Sequence, residues 1–103
     1  MAQVAPKWTK LSGVDREIAI VIGRWEDVAE VAAEWVEMSE DEQFYYFIDW
    51  PVTEEWTERL LAMEATLPPD NERAAKLQEL RALVERNRPI LERMRSGPIK
   101  SWD

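Results

Sequence analysis

The feature that most constrains the fold is a long series of apolar residues whose spacing alternates between four and three positions. Seven residues make up this series: Val14, Ile18, Val21, Trp25, Val28, Ala32 and Trp35. Such spacing places all seven side chains along one side of an α-helix. We therefore predict a helix over Val14–Met38 whose apolar side packs against the rest of the chain, with Trp25 and Trp35 as core residues.

A second, shorter helix is predicted directly after the first. Ser39 followed three positions later by Glu42 matches a capping box, which predicts a helix over Glu40–Trp50 that Pro51 stops. The aromatic and β-branched side chains of Phe44–Ile48 favour a strand instead. An α+β fold with a strand at Phe44–Ile48 therefore stays open as the alternative.

Two more helices are predicted in the second half of the chain. Thr53 is expected to cap the third, and Asp70 or Asn71 the fourth. Apolar positions again alternate between four and three in both segments: Trp56, Leu60, Met63 and Leu67, then Leu77, Leu80, Val84, Asn87, Leu91 and Met94. Pro89 is expected to kink or interrupt the fourth helix. Asn87 is then either a buried polar group that sets the register or the cap of a new helix after the break.

These helices predict an all-α fold, a compact four-helix bundle-like domain. Its 103 residues are the length of one domain, so we assign 1–103 to a single helical domain. Residues 1–11 show no helical period and are predicted to be an N-terminal arm, and residues 96–103 a C-terminal tail.

The composition argues against most catalytic and metal-binding chemistry. The chain has no cysteine and no histidine, which excludes thiolate and imidazole nucleophile systems and the common zinc sites. Three glycines fit no phosphate-binding motif. We expect no enzymatic activity, no metal and no cofactor. An enzyme that uses carboxylates and tyrosine stays open as a third hypothesis. The longest purely apolar run, Ile18–Ile22, is far shorter than the roughly 20 residues of a membrane span, so we expect a cytoplasmic protein without a membrane partner.

The charge is negative and unevenly distributed. The formal net charge is −8, and 12 acidic residues but no basic one lie between Arg24 and Arg59. Such a balance disfavours binding to duplex nucleic acid. Our leading hypothesis is a protein-interaction module, a regulator, inhibitor or adaptor that binds a more basic protein through segment 26–58 or associates with itself. The predicted partner-binding residues are Glu26, Glu30, Glu34, Glu37, Glu40, Asp41 and Trp50. The alternative is an acidic face that is solvated, or neutralised by the basic fourth helix.

The aromatic residues suggest a second hypothesis, a small-molecule sensor. Pockets for small molecules are mostly apolar with a few polar groups. A pocket between helices would be lined by Trp25, Trp35, Tyr45, Tyr46 and Trp56, together with Phe47. An enclosed cavity among these rings would favour the sensor, whereas a filled core with an exposed acidic and aromatic face would favour the interaction module.

Overall fold

The computed structural model of the protein describes residues 13–97. Four α-helices and one turn of 3-10 helix make up this part of the chain: α1 (Gly13–Glu34), the 3-10 turn (Trp35–Glu37), α2 (Glu40–Phe47), α3 (Trp50–Glu64) and α4 (Glu72–Arg95). The prediction of an all-α fold is confirmed. The predicted N-terminal arm, 1–11, and the predicted tail beyond residue 97 lie outside the described residues.

The first helix is shorter than predicted at its carboxyl end. Its α-helical part ends at Glu34, and the chain tightens into the 3-10 turn before Met38 adopts an extended conformation (φ −76°, ψ 145°). The Met38 amide donates to the Trp35 carbonyl at 3.2 Å, which satisfies one of the carbonyl groups that a helix end leaves free. The chain therefore leaves the helical conformation just before Ser39, the residue that caps the next helix.

The strand alternative at Phe44–Ile48 is wrong, because the capping box that the sequence predicts is formed. The Ser39 hydroxyl accepts from the Glu42 amide at 3.1 Å, and the Glu42 carboxylate accepts from the Ser39 amide at 2.9 Å. The bonds from the backbone and side chain of Ser39 hold the pKa of Glu42 below its ordinary value. A helix nucleated in this way continues through the aromatic residues despite their preference for strands.

Removing this cap should loosen α2 without unfolding the protein. Ser39→Ala loses the acceptor for the Glu42 amide and should cost α2 about 1 kcal/mol. We expect faster amide hydrogen exchange in α2 and unchanged exchange in the middle of α1 and α4. Ser39→Asp retains an acceptor and is the control. Unchanged exchange in α2 of the alanine variant would show that the cap does not hold this helix.

The boundary between α2 and α3 differs from the prediction. We predicted that Trp50 ends one helix and that Thr53 caps the next, but α2 ends at Phe47 and α3 begins at Trp50. Pro51 lies in the first turn of α3, where the missing amide hydrogen costs nothing. Thr53 is buried inside α3, and its carbonyl accepts from the Thr57 hydroxyl at 2.7 Å, so it does not cap the helix.

Helix α4 continues through Pro89, so of the two predicted outcomes, a kink or an interruption, the interruption is wrong. Its amino end is capped as predicted, because the Asn71 side chain accepts from the Arg73 amide at 2.8 Å. Asn87 is buried, and its side-chain amide donates to the Trp25 carbonyl on α1 at 2.8 Å. Of the two alternatives, Asn87 is therefore a buried polar group and not the cap of a new helix. Its hydrogen bond connects α4 to α1.

Helices α1, α3 and α4 supply the core of the described residues. The largest fully buried side chains belong to these helices and to the 3-10 turn: Trp25, Trp35, Trp50, Leu60, Leu77, Leu80 and Leu91. Helix α2 contains no buried residue, and it packs on the outside through the half-buried Tyr46 and Phe47. The architecture is thus a three-helix core with a short fourth helix against it. Between residues 13 and 97, no helix is long and apolar enough to cross a lipid bilayer.

Candidate functional site

Trp25 lies at the centre of the core and links three helices. Its indole N–H donates to the Thr57 hydroxyl on α3 at 2.9 Å, and its carbonyl accepts from Asn87 on α4 at 2.8 Å. The Arg88 guanidinium lies 5.2 Å from the centre of its ring. Every polar and aromatic group of Trp25 thus has a partner within the protein, which indicates a structural role.

The predicted aromatic pocket is filled by its own side chains. Trp25 contacts Trp50 edge to face at 5.3 Å between ring centres, and Trp35 contacts Tyr46 in the same way at 5.8 Å. Tyr46 also stacks on Trp50 at 5.8 Å. These are ordinary distances for aromatic pairs in contact. They leave no room for a small molecule between these rings.

Of the other predicted pocket residues, Trp56 and Tyr45 lie apart from this cluster, whereas Phe47 joins it. Trp56 is half-buried and packs against the core from the outside. Tyr45 is 66% exposed and contacts the ring of Phe44. Phe47 packs edge to face against Trp35. The structure therefore does not arrange the predicted residues around one cavity.

Three buried polar atoms in the aromatic cluster have no hydrogen-bond partner among residues 13–97. They are the indole nitrogens of Trp35 and Trp50 and the hydroxyl oxygen of Tyr46. Burial raises the pKa of Tyr46 to about 12, although the charge of Arg24 opposes this shift. The Tyr46 hydroxyl is therefore protonated at neutral pH.

Trp50 belongs to the core and not to an exposed partner-binding face, contrary to the prediction. It is 1% exposed because it begins α3, a position that turns its side chain inward between Trp25 and Tyr46. The Arg24 guanidinium covers it at 5.3 Å from the ring centre. Arg24 in turn donates two hydrogen bonds to the carboxylate of Asp49, at 3.0 and 3.1 Å, which hold the pKa of Asp49 below its ordinary value.

The six predicted acidic partner-binding residues are all exposed. They extend from the second half of α1 to the start of α2: Glu26, Glu30, Glu34, Glu37, Glu40 and Asp41. We call this set the acidic row. Within the described part of the chain none of the six forms an ion pair, and four arginines of α4 bind other carboxylates. Arg81 pairs with Glu64 at 2.7 Å and Arg88 with Glu54 at 3.0 Å. The alternative that α4 neutralises the acidic row is therefore wrong for these residues.

An open groove lies beside the end of the acidic row, between α2, α3 and the carboxyl end of α4. Its volume is about 1060 Å³. Its lining includes apolar residues of α2 and the following turn, acidic residues of α3, and residues from the core and from α4: Phe44, Phe47, Ile48, Glu54, Glu55, Glu58, Trp35, Trp50, Met94 and Arg95. We call it the α2–α3 groove. The lining residues of α2 and the following turn are mainly apolar and those of α3 mainly acidic, and we call these two sets the apolar wall and the acidic wall.

The apolar wall is exposed to an unusual degree. Phe44 is 63% exposed and Ile48 is 59% exposed. Val36 also lines the groove and is exposed. Val52 follows Ile48 by four positions and is exposed as well. Scattered exposed apolar residues are normal, but neighbouring ones rimmed by polar groups are characteristic of interaction sites.

The charge that remains free in the groove is negative. Arg95 is the only cation among the described residues that line it, and it is held by Glu92 at 3.3 Å and by Glu54 at 3.8 Å. Its guanidinium also lies 5.4 Å from the centre of the Phe47 ring. Glu55 and Glu58 are exposed and form no ion pair within residues 13–97, and the same holds for Glu40 at the other end of the groove.

The sequence prediction missed the apolar wall and the acidic wall of this groove. The prediction considered Phe44 and Ile48 only when it compared a helix with a strand for Phe44–Ile48, and it did not assign them to a binding surface. Glu40, Phe44 and Ile48 follow one another at intervals of four, which places Glu40 and Phe44 on one side of α2 and Ile48 just after its carboxyl end. That spacing was the signal available in the sequence. No group of three acidic side chains within residues 13–97 is arranged to hold a metal ion.

Comparison with known proteins gives no match to a protein family model, to a curated protein sequence or to a solved structure. A functional assignment therefore rests on the residues and geometry of the acidic row and the α2–α3 groove.

Proposed function

We propose that the protein is a small acidic interaction module that binds a more basic protein through segment 26–58. It would act as a regulator, inhibitor or adaptor and not as an enzyme. The observation that carries the proposal is that the acidic row is exposed and unpaired beside exposed apolar side chains. Acidic residues that are not neutralised within the described protein attract a basic partner, and the apolar residues supply contact area once it has arrived.

The acidic row is suited to speed the association of such a partner. Glu26, Glu30 and Glu34 repeat at intervals of four along α1. Like charges at this spacing repel one another at a cost of a few tenths of a kcal/mol per pair, so these glutamates do not stabilise one another. Their combined field extends over roughly 8 Å at physiological salt. Charges of this kind mainly raise the rate at which an oppositely charged partner associates.

Reversal of two charges in the acidic row tests the proposal. Glu30→Lys with Glu34→Lys should leave the melting temperature unchanged or slightly raised, because neither carboxylate has a partner to lose in the described structure. The double variant should lower the association rate constant of the partner by about tenfold at low salt, and by less at high salt. The partner would be obtained by affinity capture from the host extract and then purified for kinetics.

The matched control is Asp70→Lys with Glu85→Lys. Both residues are exposed and lie outside segment 26–58, and the change in net charge is identical. The proposal requires that the control retain the association rate of the unmodified protein. It is wrong if both double variants slow association equally, if the captured proteins are acidic, or if Glu30→Lys with Glu34→Lys causes a salt-sensitive loss of stability.

A further inference from the structure

We infer that the α2–α3 groove binds a cationic amphipathic α-helix of the partner protein. This inference rests on the proposed function and names the chemistry of the segment that would be bound. The groove has an apolar wall on α2 and an acidic wall on α3. A ligand that satisfies both walls needs an apolar side and a basic side along its length.

The charges around the groove favour a basic segment over a second copy of this chain. Glu40, Glu55 and Glu58 are exposed and unpaired among the described residues, whereas the lining cation Arg95 is held by Glu54 and Glu92. A second copy would bring a net charge of −8 and a second acidic wall to the same place. Lysine or arginine side chains would meet three free carboxylates there.

The shape of the groove favours a helix over a small molecule. Its volume of about 1060 Å³ is at the upper end of the roughly 300–1,000 Å³ typical of small-molecule pockets, but the groove is open to solvent and would not enclose a small molecule as such pockets do. Phe44 on α2 and Ile48, the residue that follows the end of α2 in a helical conformation (φ −60°, ψ −36°), are four positions apart. They therefore match apolar residues spaced at three and four positions on a facing helix.

Other modes of peptide binding fit the groove less well. No strand occurs within residues 13–97, so this part of the chain offers no sheet edge to which an extended segment could add. Proline-rich segments dock between several exposed aromatic side chains. Among the described residues that line the groove, Phe44 is the one exposed aromatic side chain, since Phe47 is half-buried and Trp35 and Trp50 are buried. Helix-in-groove binding is the mode that remains.

Contacts in the groove and charges on α1 should affect different rate constants. Burial of Phe44 and Ile48 against a bound helix would slow dissociation, because short-range apolar contacts are lost only when the complex separates. Glu30 and Glu34 do not line the groove and should act only on association. This separation allows the groove to be tested independently of the acidic row.

The probes are three synthetic peptides of equal length. The first contains lysine and leucine with leucine at helical spacing, the second has the same composition with strict alternation of the two residues, and the third replaces lysine with glutamate. We expect the first to bind at least about tenfold more tightly than the other two. Amide chemical shifts around Phe44, Ile48 and Glu55 should change on binding. Equal affinity for the alternating peptide would exclude a helix as the ligand, and absence of binding by the first peptide would overturn the inference.

The variants are chosen from exposed residues so that the fold is retained. Phe44→Ser with Ile48→Ser should raise the dissociation rate constant of the first peptide about tenfold and leave its association rate within about twofold. Glu30→Lys with Glu34→Lys should instead lower the association rate constant of the peptide and leave its dissociation rate constant unchanged. Circular dichroism melts check that both variants remain folded. If the serine variant leaves dissociation unchanged while the lysine variant slows association, the groove assignment fails and the proposed function stands. If neither the peptide nor any basic protein binds in a charge-dependent way, both fail.

Two other occupants would be recognised in the same experiment. Sedimentation velocity of the unmodified protein should show a monomer. A dimer that Phe44→Ser with Ile48→Ser converts to a monomer would identify a second copy as the occupant and overturn the inference. Deletion of residues 98–103 should leave the peptide affinity unchanged. An increase of about tenfold in peptide affinity would identify that segment as the occupant of the groove and would also overturn the inference.

Discussion

Replacement of Trp25 with alanine should lower the free energy of unfolding by about 3–5 kcal/mol, the usual cost of truncating a large buried aromatic side chain. The side chain is fully buried and packs edge to face on Trp50. The variant also removes the indole donor that binds Thr57 and the ring beneath Arg88. Three helices would therefore lose a common contact. Urea denaturation followed by far-ultraviolet circular dichroism measures the change.

Trp56→Ala is the matched control for this prediction. Trp56 is half-buried at the edge of the core, and its replacement should cost clearly less, about 1–2 kcal/mol. A Trp25→Ala variant that keeps the stability of the unmodified protein but fails to bind a partner or ligand would contradict the assignment of Trp25 to the core. In that case a binding residue would have been mistaken for a packing residue.

Replacement of Pro89 with alanine should raise the free energy of unfolding by about 1–3 kcal/mol, because proline is the least favourable residue inside a helix. Pro89 is exposed, and α4 continues on both sides of it. Alanine restores an amide hydrogen that can donate to the carbonyl of Glu85 and relieves the contact of the proline ring with that carbonyl. A rise in the midpoint of urea denaturation would confirm the prediction.

Arg86→Ala serves as the comparison for Pro89→Ala. Arg86 is an exposed residue one turn earlier in α4, and both arginine and alanine are good helix formers. This substitution should change stability by less than about 0.5 kcal/mol. If Pro89→Ala instead destabilises the protein, the local backbone at Pro89 is required for the packing of Leu91, which is fully buried.

The long helices were predictable because their apolar spacing is continuous. Trp25 and Trp35 are buried on the side that the spacing predicts, and so are Leu80 and Leu91 on α4. A periodic pattern of this length has few alternatives as secondary structure. The exposed acidic row follows from the same periodicity, because its members on α1 fall on the side opposite the apolar residues.

The junction between α2 and α3 was not predictable from local sequence. A tryptophan followed by proline can end one helix or begin the next. Contacts with distant residues decide between the two, since Trp50 packs on Trp25 and Asp49 binds Arg24. The groove was missed for the same reason. Whether Phe44 faces the core or solvent depends on how α2 is placed against the other helices, and α2 has no buried residue whose pattern would reveal this.

The absence of buried side chains in α2 has a consequence for how such a module can diversify. Substitutions at Phe44, Tyr45 or Ile48 remove little from the core that keeps the chain folded, because all three side chains are exposed. If the proposed function is right, recognition and stability are encoded by largely separate sets of residues. A library randomised at these positions should retain its fold in most members, so the protein offers a scaffold on which new binding specificities can be selected without prior stabilisation.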